Sequence, residues 1–303
     1  METISVIIVS WNARDYLRGV LRSLEQTTPG LVEEIFVVDN DSKDGSPEMV
    51  EKEFPAVTLV RTGQNLGFAK ANNLAMKQAR GTQFALINSD VVVHPGCLET
   101  LSAHLSSHPG VGLVGPLVFG GDGKPQETRR RLPSVARSIF RAFSIDRFNK
   151  PVSEKRNAVQ SVEVLNGCFW LAKRSAVEEV GGLDERFFFY AEDVDWCKRF
   201  GVAGWKIEFV PAATAIHFGG GSSANAPFRY SVEMLKANLK YWRKHHGVLG
   251  QAVYFTLSLL HHLLRMALRG LQLLLRGRNK EDIRYKFDRS KICLCWLLTQ
   301  REI

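Results

Sequence analysis

Short apolar runs and helix-length segments alternate through the first 120 residues, and this rhythm narrows the architecture before any single residue is weighed. Ile4 to Val9 reads as a first strand and Tyr16 to Leu24 as a helix. A strand at Ile35 to Val38, a helix at Ser46 to Glu53 and a strand at Val57 to Val60 follow. Phe68 to Gln78 is helical, the next strand ends at Asn88, Leu98 to Leu105 is helical and Val111 to Val118 is a strand. Such a pattern predicts an α/β domain with a largely parallel sheet covered by helices. Three of the apolar runs stop abruptly at polar groups: Ser10-Trp11-Asn12, Asp39-Asn40-Asp41-Ser42 and Asn88-Ser89-Asp90. Open α/β sheets gather ligands at the carboxyl ends of their strands, which is where these side chains fall.

The alternation breaks at Gly120. Gly121, Gly123 and Pro125 lead into residues 128 to 156, which carry Arg129, Arg130, Arg131, Arg137, Arg141, Arg147, Lys150, Lys155 and Arg156. This run predicts a mobile basic segment over a ligand-binding mouth, with a plain solvated loop as the alternative. A strand at Val162 to Ala172, helices at Ser175 to Val180 and Glu192 to Phe200, and a strand at Lys206 to Val210 come next. Gly219 to Gly221 reads as a flexible joint before a helical tail that begins near Phe228.

Of the net charge of +9, the tail holds all the excess. From residue 221 onward 15 Lys or Arg face 5 Asp or Glu, against 25 and 26 in residues 1 to 220. Residues 252 to 275 are rich in leucine, interrupted by His261, His262, Arg265 and Arg269. A basic amphipathic helix of this kind favours an anionic membrane surface over nucleic acid as its partner. The alternative is an apolar face packed on the rest of the chain or on a second copy, giving a homodimer. The uncharged stretch 245 to 264 holds histidines, glycines and polar groups, a poor fit to a bilayer-spanning helix. No basic region followed by an apolar core opens the chain, so no secretory signal is expected. Five scattered cysteines without zinc spacing read as reduced thiols in the cytoplasm.

The candidate chemistry lies at the strand ends. Asp90 is placed to hold a hard cation that would neutralise a diphosphate, and the alternative is that Asn88 and Asp90 cap the following helix. Asp39 can accept hydrogen bonds from a base or ribose, or only shape its turn. No dinucleotide glycine fingerprint follows the first strand, which disfavours a nicotinamide dehydrogenase. In Gln64-Asn65-Leu66-Gly67-Phe68, Gly67 allows a close backbone approach and the helix start offers amides to a polar ligand, with Asn72 or Asn73 nearby. Glu192, Asp193 and Asp195 follow the aromatic run Phe187 to Phe189, a setting that raises a carboxylate's pKa and suits a general base. On a helix Glu192 and Asp195 share a face and Asp193 does not. His217, ahead of three glycines, is a potential metal ligand.

In this order the segments Ser5 to Asn12, Val38-Asp39-Asn40, Asn65-Leu66-Gly67-Phe68, Asn88-Ser89-Asp90, Glu192-Asp193-Val194-Asp195 and His217 closely resemble the family 2 inverting glycosyltransferases, in particular the rhamnosyltransferase-like members. The resemblance covers about residues 4 to 223. It implies a GT-A fold, a nucleotide-binding αβα sandwich, over residues 1 to 223, with a nucleotide-sugar half at 1 to 120 and an acceptor half at 121 to 223. The helical tail is 224 to 303. It further implies that Asp39 binds the base, with Ser10, Asn12, Asn65, Gly67, Asn72 and Asn88 lining the donor pocket. Asp90 would hold Mg2+ or Mn2+ on the diphosphate, with His217 as a further ligand. Asp193 would be the general base and Glu192 would orient the acceptor or support Asp193. Asn88 stands where many relatives carry aspartate. The implied reaction moves a sugar from dTDP-rhamnose or a UDP-sugar to a lipid-linked or polysaccharide acceptor, at the inner face of the plasma membrane. A nucleotidyltransferase is the competing enzyme class, but Ser10-Trp11-Asn12 lacks its glycine-rich basic loop. A non-catalytic membrane scaffold is the third reading.

Overall fold

The computed structural model describes residues 2–26, 30–142, 157–219, 227–275 and 280–300. The predicted alternation is present in β1 (Ile4–Ser10), α1 (Arg14–Leu24), β2 (Val32–Asp39), α2 (Ser46–Glu53), β3 (Thr58–Arg61), α3 (Gly67–Met76) and β4 (Gln83–Asn88). Next come β5 (Val91–Val93), α4 (Cys97–Ser107), β6 (Val111–Phe119), β7 (Arg129–Arg130), α5 (Val135–Ala142), β8 (Gln160–Ser161) and β9 (Val164–Leu165). The chain continues through β10 (Phe169–Lys173), α6 (Arg174–Val180), α7 (Glu192–Val202), β11 (Lys206–His217), α8 (Pro227–Leu275) and α9 (Lys280–Thr299). It divides into two compact units. One comprises Met1–Leu132, Pro151–Phe188 and Glu192–Ser222; the other comprises Pro133–Lys150, Phe189–Ala191 and Ser223–Ile303.

In the first unit the sheet runs β3-β2-β1-β4-β10-β6-β11-β5, with β8 also on β11. β3, β2, β1, β4, β6 and β11 share one direction, and β10, β5 and β8 run against it. Ile4, Val6 and Ile8 of β1 join one buried cluster with Leu17 and Val20 of α1, Met49 and Val50 of α2, and Leu98 and Leu101 of α4. Ile7 and Val38 point to the opposite face and are equally buried, and α3 packs on β1 and β2. Burial on both faces is why β1 reads as an unbroken apolar run rather than an alternating one. Each such side chain is worth about 1.5–3 kcal/mol of transfer free energy.

Three stretches depart from the sequence reading. The strand expected at Val162 to Ala172 is two strands, because Asn166-Gly167-Cys168 turns the chain between β9 and β10. The strand expected to stop at Val210 continues to His217. Pro211 cannot donate to a ladder, and the register shifts between Val210 and Thr214, after which Thr214 to Ile216 pair again with Leu117 to Phe119 of β6. The basic run is not uniformly a solvated segment. β7 pairs with β9, and Arg129 is buried, its guanidinium on Glu127 and Gln160 and over the Phe209 ring. Arg147, Lys150, Lys155 and Arg156 lie outside the described residues, as do Gly220 and Gly221.

In the second unit α8 is broken at Gly247 (φ 66°, ψ −165°), a conformation only glycine adopts cheaply. The turn lets Trp242 stack on Tyr254 with ring centroids 5.5 Å apart. Val232, Leu235 and Leu239 form a core with Cys293, Trp296 and Leu297 of α9, joined by Tyr254, Phe255 and Leu259 from beyond the break. The tail therefore buries part of its apolar face within itself. Leu268, Leu271, Leu274 and Leu275 remain exposed.

Asn73 of α3 locks the turn ahead of α7: its amide donates to the Leu183 carbonyl and Glu185, and its oxygen accepts the Leu183 N–H. Asn73→Ala strands these buried groups and should cost about 2–3 kcal/mol, read from the midpoint of urea unfolding.

Candidate active site

The strand order reverses beside β1: β2 and β3 extend to one side of it, and β4 takes the other. A crevice opens at the carboxyl ends of strands at such a switch point. Ser10 pairs with Asp39 and Val9 with Asn88 across it. Asp39 Oδ2 accepts the Ser42 N–H at 3.1 Å, whereas Asp39 Oδ1 and Ser10 Oγ are buried without a hydrogen-bond partner among the described residues. Each unpaired buried group costs about 1–3 kcal/mol, a cost that persists where a ligand is to be met. Asn12 does something else. In a left-handed conformation (φ 50°), it accepts the Lys43 N–H and its own N–H donates to Ser42 Oγ, tying the loop after β1 to the loop after β2.

The start of α3 does not offer the free amides that the sequence suggested. Asn40 Oδ1 accepts the Leu66 N–H, Asn65 Oδ1 accepts the Gly67 N–H, and the Phe188 carbonyl accepts the Phe68 N–H at 2.9 Å. Gly67 (φ +77°) is required here, since a methyl group would collide with that same carbonyl. Asn72 is buried and donates to the Phe68 carbonyl. Asn65, Gly67 and Asn72 thus build the turn and the helix; Asn40, which the sequence reading passed over, joins them by donating to the Gly67 carbonyl.

The turn Asn88-Ser89-Asp90 leads directly from β4 into β5, which runs antiparallel to the end of β11. His217 pairs with Val91, the Phe218 N–H donates to the Asp90 carbonyl, and His217 Nε2 stands 3.3 Å from Asp90 Oδ1. The Asn88 N–H donates to the Cys168 carbonyl. Gln126 meets His217 twice, through its backbone carbonyl at 2.8 Å and its Nδ1 at 3.0 Å. No group of three or more His, Cys, Asp or Glu placed to hold a metal occurs among the described residues, so Asp90 and His217 stand as a pair.

The third acidic group opens α7, entered through Tyr190 (φ 70°) and Ala191 (φ 63°), left-handed positions that non-glycine residues seldom take outside functional sites. Asp193 is buried, accepts the Val194 N–H and pairs with Arg130 of β7. Burial first, and the neighbouring Asp193 charge second, push the Glu192 carboxyl up to about 8, and its Oε2 has no hydrogen-bond partner among the described residues. The sequence foresaw a raised carboxylate here, and the geometry assigns it to Glu192. Asp195 is fully buried and held by Arg199, which also donates to the carbonyls of Val180, Gly181 and Gly182; it braces the helix. The turn between β9 and β10 touches both acidic segments: the Cys168 carbonyl accepts the Asn88 N–H, and a Cβ on Gly167 would lie 3.5 Å from that of Asp193. The Cys168 thiol, raised to about 12, is no nucleophile.

Glu192 makes stability pH-dependent. An acid raised from 4.5 to about 8 keeps its proton in the folded chain after the unfolded chain has lost it, so stability falls as pH rises across that window. Glu192→Gln should flatten this slope in urea melts taken from pH 5 to pH 8.

The family model described as Glycosyl transferase family 2 matches residues 5–181. The N-acetylglucosaminyl-diphospho-decaprenol L-rhamnosyltransferase of Mycobacterium tuberculosis is 31% identical over 244 residues, 75% of this chain and 79% of its own. The rhamnosyltransferase WbbL of Escherichia coli is 25% identical over 225 residues, 70% of this chain and 82% of its own. Among solved structures, the mannosyltransferase PcManGT from Pyrobaculum calidifontis, in complex with GDP-Man and Mn2+, aligns with a TM-score of 0.61 at 16% identity. That alignment covers 99% of this chain and 88% of the other, and the shared architecture is the GT-A fold. With the family model spanning more than half of its length, this chain belongs to glycosyltransferase family 2, as a rhamnosyltransferase-like enzyme.

Proposed function

We propose that the chain transfers a deoxyhexosyl group, rhamnose in the first instance, from a nucleoside-diphosphate donor to a hydroxyl of a lipid-linked sugar diphosphate, with inversion at the anomeric carbon. The observation that carries this reading is the pairing of Asp90 Oδ1 with His217 Nε2 at the carboxyl end of β11, the same end of the parallel strands at which β2 leaves Asp39 Oδ1 unpartnered among the described residues. The names of the rhamnosyltransferase relatives supply the sugar, and that of the mycobacterial relative supplies the class of acceptor.

A carboxylate and an imidazole at this separation, partly open to solvent, fit Mg2+ or Mn2+, with diphosphate oxygens and water completing the shell. When bound, such an ion neutralises the charge that grows on the departing diphosphate. Asp39 and Ser10 accept and donate to the nucleoside. Asp193 takes the proton of the acceptor hydroxyl as that oxygen bonds to the anomeric carbon and the bond to the diphosphate breaks on the opposite face. Arg130 holds the Asp193 carboxylate in orientation. Glu192, its carboxyl pushed up to about 8 by burial, can donate a hydrogen bond to the acceptor beside Asp193, a division of labour set by environment. The exposed leucines of α8, alternating with Arg265 and Arg269, fit the interface of an anionic membrane where such an acceptor resides.

Asp193→Asn should leave nucleotide binding intact and abolish sugar transfer from dTDP-rhamnose; undiminished turnover would remove Asp193 as the base. Asp90→Ala should erase the chelator-sensitive part of nucleotide binding in calorimetry. Replacing Leu271, Leu274 and Leu275 together by serine should release the chain from anionic vesicles. Unchanged retention, with a change in oligomeric state instead, would assign that face to a second copy.

A further inference from the structure

We infer that Gln126 is a positioning residue that holds a proton of His217 on Nδ1, so that Nε2 is the nitrogen the ring turns toward Asp90. Sequence gave no motif for it. The loop from Gly120 to Pro125 doubles back, with the Gly120 N–H on the Lys124 carbonyl, and the Gln126 N–H donates to the Val118 carbonyl at 2.8 Å. Gln126 is thereby fastened to the end of β6, beside the end of β11.

The two hydrogen bonds of its side chain leave one consistent assignment. The His217 carbonyl, 2.8 Å from Gln126 Nε2, only accepts, so the amide nitrogen must face it. The amide oxygen then faces His217 Nδ1 at 3.0 Å, and since that oxygen only accepts, Nδ1 carries the proton. In the neutral ring Nε2 is consequently unprotonated, and it stands 3.3 Å from Asp90 Oδ1. A carboxylate faces that second nitrogen, so the space between the two suits a positive charge. Gln126 therefore prepares the pair for a cation, through the partner of the ligand's other nitrogen that orients metal-binding histidines in general. Gly120 leaves the room this needs: a Cβ there would sit 3.3 Å from the Gln126 amide nitrogen.

The inference rests on the metal reading of Asp90 and His217, and the test separates the two. In the metal-free full chain with 15N-labelled histidine, long-range 15N–1H spectra, with His217 identified by its loss in His217→Asn, should show the Nδ1–H form. An Nε2–H form would overturn the assignment. Mn2+ titrated alone and followed by electron paramagnetic resonance should bind Gln126→Met about 10–100-fold more weakly than the wild type. Gln126→Glu, which keeps an acceptor for Nδ1–H, should restore most of that affinity. Wild-type affinity in Gln126→Met, where Asp90→Asn and His217→Asn both lose Mn2+, would overturn the role of Gln126 and leave the metal reading standing. Unchanged affinity in Asp90→Asn and His217→Asn would overturn both. If Gln126→Met does not fold, the tautomer in the wild-type spectrum decides.

Discussion

The antiparallel pairing of β5 with the end of β11 is the constraint on which the site depends. Only Ser89 and Asp90 separate Asn88 of β4 from Val91 of β5, so the place of β5 on β11 dictates where Asp90 stands. That pairing holds Asp90 against His217. It is possible only because β11 resumes its ladder after Pro211; a strand ending at Val210 would leave β5 unpaired and His217 without a fixed neighbour. An interruption of hydrogen bonding in one strand thus sets the geometry of two side chains far apart in sequence.

The acidic start of α7 shows how three adjacent carboxylates take separate tasks. Asp195 turns inward to Arg199 and secures the helix on the turn at Val180 to Gly182. Asp193 faces Arg130, and Glu192 is buried without a counterion of its own. Burial first, and the Asp193 charge beside it second, favour the protonated form of Glu192. The helical periodicity separates Asp193 from the other two, but only the position of β7 decides that Asp193, and not Glu192, meets Arg130.

The fold was legible because period and composition are local properties. Apolar runs of strand length ending at Ser10, Asp39 and Asn88 specify both a parallel sheet and the edge where ligands gather. The family resemblance rested on the same residues. What stayed hidden depends on long-range pairing. Nothing near Gln126 announces a partner 91 residues away. Arg129 and Arg130 look alike in sequence, yet β7 turns one into the interior and the other toward Asp193. Asn12, Asn65 and Asn72 have the polarity of ligand groups, and each directs one side-chain atom at backbone. Asparagine serves both ends equally, and only the tertiary fold distinguishes them.

The consumption of three successive amides at the start of α3 has a kinetic side. A nest of backbone donors holds an anion with permanent dipoles and grips product as firmly as substrate. Here Leu66, Gly67 and Phe68 are already committed to Asn40, Asn65 and Phe188. None of these three amides is left to detain a nucleoside diphosphate once its sugar has gone. Whatever anion the crevice receives is held by groups other than these three amides and leaves without breaking a bond to them.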